Sequence, residues 1–411
     1  MKILVYGINY APELTGIGKY TAEMAEALAA KGHDVRVVCA PPYYPEWRVA
    51  SGYRGTRYGT EYRNGVRLWR APLWVPQRPS AVSRVVNLAS FALSSFPVML
   101  RHALWRPDVV ICIAPSLLNA PGGLVVARLS GAHAWLHIQD YEVDAAFNLG
   151  MLDGSLLRRT AVTLERTLLK RFDTVSTISG KMIERAMHKG IPPSKLVHFG
   201  NWADTRSIYP LKRPSELRAT LNISLDATVV LYSGNMGTKQ GLDVLADAAQ
   251  RLAMRDNIVF VFCGNGPARD DLITRCSGLR NCRFMNLQPA NRLNELLNLA
   301  DIHVLPQRAD AADLVMPSKL TGMFASGRAV IAMANSGTEL HDVVSQRGVL
   351  VPPGDPESLA SAIDSLATDV RKRAHLGLVG RAFAEAALSR EAVLREFEAR
   401  LSALRPISQG N

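Results

Sequence analysis

The sequence predicts an α/β protein of two doubly wound, Rossmann-like domains that face each other across a cleft. Three observations carry that prediction. At 411 residues the chain exceeds what one ordinary core serves, so two domains of about 200 residues each are expected. Strand-like apolar runs alternate with helix-period segments from end to end, the pattern of parallel sheets covered on both faces. Each half also opens on a strand, a glycine-bearing loop, a helix and a second strand.

The first such unit begins with the apolar strand 3–6 and a loop bearing Gly16 and Gly18. A helix over about 20–30 places Met24, Ala27 and Leu28 on one face. Lys31-Gly32-His33 closes it with a glycine at the C-cap, and Asp34 leads into strand 35–39. Strands are predicted next at 109–113, 134–138 and 174–178. The second half repeats the scheme with strand 228–233, loop G-N-M-G-T-K-Q-G over 234–241, helix 242–252 and strand 258–263. Further strands are predicted at 283–287, 302–305 and 329–332. The polar, basic stretch 206–224, with Pro210 and Pro214, is the expected join. The expected domains are therefore 1–205 and 206–385, followed by a helical segment 386–411 that packs back on the first.

Composition bounds the function. A hydrophobic share of 48% with 20% charged residues suits a globular protein with a sizeable core. Cys39, Cys112 and Cys263 sit in or at the end of apolar runs, and Cys276 and Cys282 lack metal-ligand spacing, so neither a disulfide framework nor a metal site is predicted. The opening M-K-I-L-V-Y-G reads as a strand rather than a signal peptide, since Asn9, Glu13 and Lys19 interrupt it early; a cytoplasmic protein is expected.

The net charge of +12 is uneven, with +9 carried by residues 1–204. From Arg48 to Arg106 there are ten arginines, no lysine and one acid, Glu61, interleaved with Tyr53, Tyr58, Trp69, Trp74, Phe91 and Trp105. Such a segment is either a solvated surface with some core aromatics or a face for anionic lipid; no nucleic-acid reader motif accompanies it, so nucleic acid is not expected as a partner. The uncharged run 85–100 is sixteen residues long and holds Pro97, Asn87 and three serines. A spanning helix needs about twenty apolar residues. The run is expected to lie on a membrane surface rather than cross it.

The ligand follows from what the loops lack and hold. A dinucleotide site wants an acidic side chain at the end of the second strand. Neither Cys39-Ala40-Pro41 nor Cys263-Gly264-Asn265 supplies one. Lys239, in a glycine-rich turn before a helix, suits a phosphate held by backbone N–H groups and the helix dipole. A second such place is Pro317-Ser318-Lys319, where Pro317 is predicted in the first helical turn and donors gather behind it. Two lysine-bearing helix starts point to a diphosphate, and so to a nucleotide diphosphate.

Four motifs extend this reading: N-Y-A-P-E-L-T-G-I-G-K-Y (9–20), I-Q-D-Y-E-V-D-A-A-F (138–147), S-G-N-M-G-T-K-Q-G-L (233–242) and D-L-V-M-P-S-K-L (313–320). With them the chain resembles, over nearly its whole length, the family 4 retaining glycosyltransferases of GT-B fold. The resemblance implies a donor domain at the C-terminal side and an acceptor domain at the N-terminal side. It implies donor contacts from Gly16, Asn235, Lys239, Pro317, Ser318 and Lys319, the base being held by backbone groups around 284–287. Asp140 and, second, His137 are the implied catalytic residues beside the sugar. No cofactor or metal is implied, the phosphate itself taking the acceptor's proton. The implied partners are a nucleotide sugar, GDP-fucose first, a lipid-linked saccharide of exopolysaccharide synthesis, and the inner face of the cytoplasmic membrane through residues 48–106. One departure stands out. The two glutamates of many relatives fall here at Leu314 and Gly322, with Asp310 and Asp313 the nearest acids to substitute. Two other readings compete: a sugar-nucleotide epimerase on the same fold, which would need carboxylates poised at the sugar, and a non-catalytic membrane scaffold, which would not need the two lysine turns.

Overall fold

The computed structural model describes residues 1–13, 16–78, 80–141, 155–237, 240–307 and 317–404. They divide into two compact units, Met1–Gly200 with the chain from Leu394 onward, and Asn201–Val393.

The first unit holds β1 (Lys2–Tyr6), β2 (Asp34–Cys39), β3 (Gly59–Arg63), β4 (Val66–Arg70), β5 (Val109–Ala114), β6 (His133–Ile138), β7 (Thr174–Thr177) and β8 (Leu196–His198). Its helices are α1 (Gly16–Ala30), α2 (Ala81–Ala103), α3 (Ala120–Ser130), α4 (Ser155–Leu169) and α5 (Gly180–His188). The strands form one sheet in the order β3-β4-β2-β1-β5-β6-β7-β8. Every pairing is parallel except β3 with β4. That hairpin was not predicted, because β3 is an edge strand with no buried face and shows no apolar alternation. Its turn did carry a signal. Asn64 and Gly65 both have positive φ (45° and 86°), as a two-residue hairpin loop requires.

The second unit holds β9 (Thr228–Ser233), β10 (Ile258–Cys263), β11 (Cys282–Met285), β12 (Ile302–Leu305), β13 (Ala329–Met333) and β14 (Val349–Val351), all parallel, in the order β11-β10-β9-β12-β13-β14. Around it lie α6 (Leu217–Thr220), α7 (Leu242–Arg251), α8 (Arg269–Arg275), α9 (Leu293–Leu299), α10 (Ser318–Ala325), α11 (Glu339–Val344), α12 (Pro356–Thr368) and α13 (Val370–Ala387). In β5 and β10 every residue is buried, which is why their sequences, VVICIA and IVFVFC, run without polar alternation.

The division differs slightly from 205/206 and 385/386. Ala203 donates to the Leu388 carbonyl at 2.8 Å and accepts from Arg390 N at 3.0 Å, which ties the expected end of the first domain to the second unit. The last described helix, α14 (Arg390–Ser402), then leaves that unit. From Leu394 on it belongs to the first, where Phe397 stacks on Phe199 with centroids 4.0 Å apart and meets Trp135 edge-on at 5.3 Å.

Helix α2 corrects the expected sixteen-residue run: it has 23 residues and takes in both flanking arginines. One side is built into the unit. Asn87, Phe91, Ser95, Met99 and His102 are buried, and Tyr6 Oη lies 2.6 Å from Ser95 Oγ. Four of the interleaved aromatics are structural too. Phe91 packs 5.9 Å from Tyr6, Tyr53 lies under Arg70 at 5.4 Å, and the Arg36 guanidinium sits 5.4 Å over Trp69 and 4.0 Å over Trp105. Tyr58, Tyr62 and Trp74 are the exposed ones in 48–80.

Candidate active site

In an open parallel sheet, ligands bind beyond the strand C-termini where the strand order reverses. The second sheet reverses between β9 and β12. The loop after β9 is 234–241, and the chain after β12 returns as α10, so the two stretches singled out in the sequence are neighbours here for a topological reason.

Lys319, in the first turn of α10, turns back toward the sheet. Its ammonium donates to Tyr232 Oη at 2.8 Å, lies 3.4 Å from Gln240 Oε1 and stands 4.5 Å over the Tyr232 ring. Tyr232 Oη in turn donates to the Asn235 carbonyl at 2.6 Å. Among the described residues no carboxylate pairs with Lys319. Burial without a counter-charge pulls its ammonium down to about 8. An anion placed here would find a cation that has no counter-charge among the described residues.

The glycines of 234–241 have a steric task. Gly234 has φ +134°, and a Cβ on it would stand 2.5 Å from Lys319 Cε and 2.8 Å from Nζ, so glycine is what lets the lysine lie where it does. Gly264 (φ +153°) permits still closer approach, because a Cβ there would fall 1.9 Å from the Gly234 carbonyl oxygen. Backbone bonds then hold the loops after β9 and β10 together: Gly234 N to Cys263 O, Met236 N to Asn265 O and Ala268 N to Met236 O, each 2.9 Å.

Asn235 is exposed beside this clasp. Pro317 stands at the N-cap of α10 rather than inside its first turn, with φ −58° and ψ 128°, an extended conformation that its ring tolerates. Ser318 is exposed as the first helical residue. Lys239, Asp310, Asp313 and Leu314 lie outside the described residues. At Gly322, the position of the relatives' second glutamate, a Cβ would meet Leu297 Cδ1 at 3.3 Å and Ile208 Cδ1 at 3.8 Å. A carboxylate stem there would start against aliphatic side chains, so its absence fits the local packing. Of the 284–287 segment, Met285 O is taken by Gly264 N at 3.1 Å and Phe284 stacks on Phe262 at 5.0 Å.

The first sheet reverses between β1 and β5. Gly16 starts α1 with φ +61°, and a Cβ there would have no atom within 4 Å, so the backbone at this point is open to approach. The preceding loop is anchored by Glu13. Its buried carboxylate accepts from Tyr43 N (3.1 Å), Tyr44 N (3.2 Å) and Asn9 Nδ2 (3.0 Å), and burial pushes its pKa up. Asp140 is exposed two residues past β6. His137, inside β6, is buried with both ring nitrogens engaged: Nδ1 is 2.9 Å from Ser176 Oγ and Nε2 is 3.2 Å from Gln139 Nε2. Burial, with His198 nearby, drives it down to about 3, a neutral ring at any working pH. Sequence reasoning missed Tyr232, Gln240 and Glu13. The first two gave no spacing signal because their role is to receive a lysine from another element.

Among the described residues no group of His, Cys, Asp and Glu is arranged to hold a metal ion.

Two parallel-sheet Rossmann-like units with an anion-seeking lysine at a switch point are the frame of GT-B glycosyltransferases, and comparison with known proteins agrees. Residues 15–202 match the model of the glycosyl transferase 4-like domain, and residues 227–369 match that of glycosyl transferases group 1. The fold is shared with sucrose-phosphate synthase from Thermosynechococcus elongatus (TM-score 0.75, 18% identity, 98% of each chain). It is shared also with Anabaena Alr3699/HepE in complex with UDP-glucose (TM-score 0.69, 14% identity, 98% of this chain and 100% of that one). In sequence the chain is 42% identical to the Escherichia coli (strain K12) protein named "Putative colanic acid biosynthesis glycosyl transferase WcaI", over 97% of this chain and 98% of that one. The chain belongs to this glycosyltransferase family and is an enzyme of that class.

Proposed function

We infer that the protein moves a sugar, with retention of configuration, from a nucleotide diphosphate to a lipid-linked saccharide in the assembly of a colanic-acid-like exopolysaccharide. GDP-fucose is the first candidate donor. The observation that carries the reading is Lys319, a half-buried cation beside Gly234 and Tyr232 at a switch point, with no carboxylate against it among the described residues. The similarity to a protein named for colanic acid biosynthesis supports the pathway, and the UDP-glucose bound by a protein of the same fold supports the donor class.

Breaking the sugar–phosphate bond builds negative charge on the leaving diphosphate. Lys319 and Lys239, with the N–H groups at the start of α10, stabilise it by preorganised electrostatics. Asn235 and Ser318 add hydrogen bonds beside Pro317, and Gly16 offers an unshielded backbone N–H. The acceptor hydroxyl attacks from the leaving-group face and gives its proton to the departing phosphate oxygen. Asp140 orients the sugar, and His137 supports the strand end as a neutral ring. With two lysines as the counter-charge, turnover needs no divalent metal. The enzyme works in the cytoplasm on the inner membrane face, held through residues 48–106.

The test is incubation of purified protein with GDP-fucose, UDP-glucose and other nucleotide sugars, with release of nucleoside diphosphate as readout. Release in excess EDTA is expected. Loss in EDTA restored by manganese would overturn the metal-free step, and release from no donor would overturn the whole reading.

A further inference from the structure

A groove of about 610 Å³ opens on the first unit beside α2. Its walls are the side chains of Trp47, Val49, Pro72, Leu73, Trp74 and Val75. Two serines of α2 also line it, but both are already engaged. Ser94 donates to the Pro72 carbonyl, and Ser90 Oγ accepts from Trp74 N at 2.9 Å. Asn87, one turn earlier, donates to the Trp74 carbonyl at 2.6 Å. These bonds pin the 72–75 segment along the helix and engage the Pro72 carbonyl and both backbone groups of Trp74, so the side chains it turns to the groove are apolar.

The edge of the groove is cationic. Arg48 lines it, Arg54 and Arg57 bracket the lining residues Gly55 and Thr56, and Arg78 follows Gln77. All four arginines are exposed, and among the described residues none of them pairs with a carboxylate. By contrast two of the three arginines of the neighbouring hairpin are spoken for, Arg63 by Glu26 at 3.3 Å and Arg70 by Glu61 at 2.5 Å. An apolar slot of ligand size inside a guanidinium rim is complementary to one chemistry, a hydrocarbon chain ending in an anionic phosphate head.

We propose that this groove binds the first carbons of the acceptor's lipid chain, with the phosphate head held at the arginine rim. The proposal rests on the lipid-linked acceptor reading above and adds where the chain sits. Bulk phospholipid is the competing source of the same chemistry. An individual slot with pinned walls favours one chain entering it, whereas a bilayer would meet the outward face of α2.

The test uses the full chain with its donor site filled by saturating nucleoside diphosphate, so that the diphosphate of the probe cannot occupy it. Farnesyl diphosphate and inorganic diphosphate are titrated, and the fluorescence of Trp47 and Trp74 is followed. The farnesyl compound is expected to bind at least tenfold more tightly than inorganic diphosphate. Val75→Asp, and separately Thr56→Trp at an exposed lining position, should each remove that preference while nucleoside diphosphate affinity and Tm stay as in the wild type. Equal affinity for the two probes, or variants that keep the preference, would overturn the proposal. Displacement of farnesyl diphosphate by phosphatidylglycerol vesicles would also overturn it, by giving the groove to bulk lipid. Failure of the transferase reading would look different, as loss of nucleoside diphosphate release in the wild type whatever the groove binds.

Discussion

Lys319 shows what one residue's setting adds to its identity. A surface lysine would be charged throughout the working range, but here burial brings its ammonium down to about 8. A diphosphate binds the protonated form, so donor affinity should be full below pH 8 and fall about tenfold per pH unit above it. Calorimetric titration of a nucleoside diphosphate from pH 7 to 9.5 checks this, and Lys319→Ala should flatten the profile. The same change should lower turnover by about two to three decades, the scale for losing one charge-stabilising donor. Lys239→Ala is expected to cost a similar factor; turnover within threefold of wild type would remove either lysine from the site. The expectation of an anion site at Pro317-Ser318-Lys319 could be drawn from the sequence, because proline and donors at a helix start have a local physical meaning. That the lysine lies over Tyr232, through a gap left by Gly234, was not legible. It depends on β9 and α10 becoming neighbours at the strand reversal.

At the scale of elements, the predicted strands in the middle of both sheets were found within a residue or two, since buried parallel strands write themselves as unbroken apolar runs. Helix α2 was harder, because one sequence serves two faces. Val82, Val85, Val86, Leu93, Phe96, Leu100 and Leu104, at the helix end, are exposed, and at 100° per residue they fall within one sector of the helix. Over the 22 residues Val82–Ala103 the helix is about 33 Å long, enough to cross a bilayer. The opposite face is tied to Tyr6 and Tyr43 through Ser95 and Asn87, which favours lying on a membrane over entering it. Vesicle binding is then expected in two parts. Replacing Arg78, Arg101 and Arg106 by glutamine should lower binding to anionic vesicles about a hundredfold, at about 1 kcal/mol each, and weaken its salt dependence. Leu93→Glu with Leu100→Glu should weaken the part that salt leaves intact. Equal binding of the wild type to neutral and anionic vesicles would sink the electrostatic part.

At the scale of the molecule, each unit carries a histidine that its sheet cannot protonate. His137 in β6 and His303 in β12 are fully enclosed, and burial takes both from 6.5 down to about 3. His102 and His133 are lowered as well, for the same reason. The unfolded chain binds these protons below pH 6.5 and the folded chain does not. Stability from this source is therefore complete above pH 6.5 and is lost as pH falls toward 3. Each fully buried ring removes up to about 1.4 kcal/mol per pH unit in that window. Glu13 works in the opposite sense, since burial raises its carboxyl and the folded state then binds the extra proton. One such group does not offset two enclosed histidines. Urea midpoints should thus be level from pH 8 to 7 and fall between 6.5 and 5, before most carboxylates begin to titrate. The decisive comparison is His303→Gln, whose ring nitrogen partner is Ser326 Oγ at 3.1 Å. The variant is expected to start from a lower midpoint and to lose less with acid, its slope for the second unit reduced by about one proton. A slope between pH 6.5 and 5 unchanged by the substitution would mean that other groups set the acid limit.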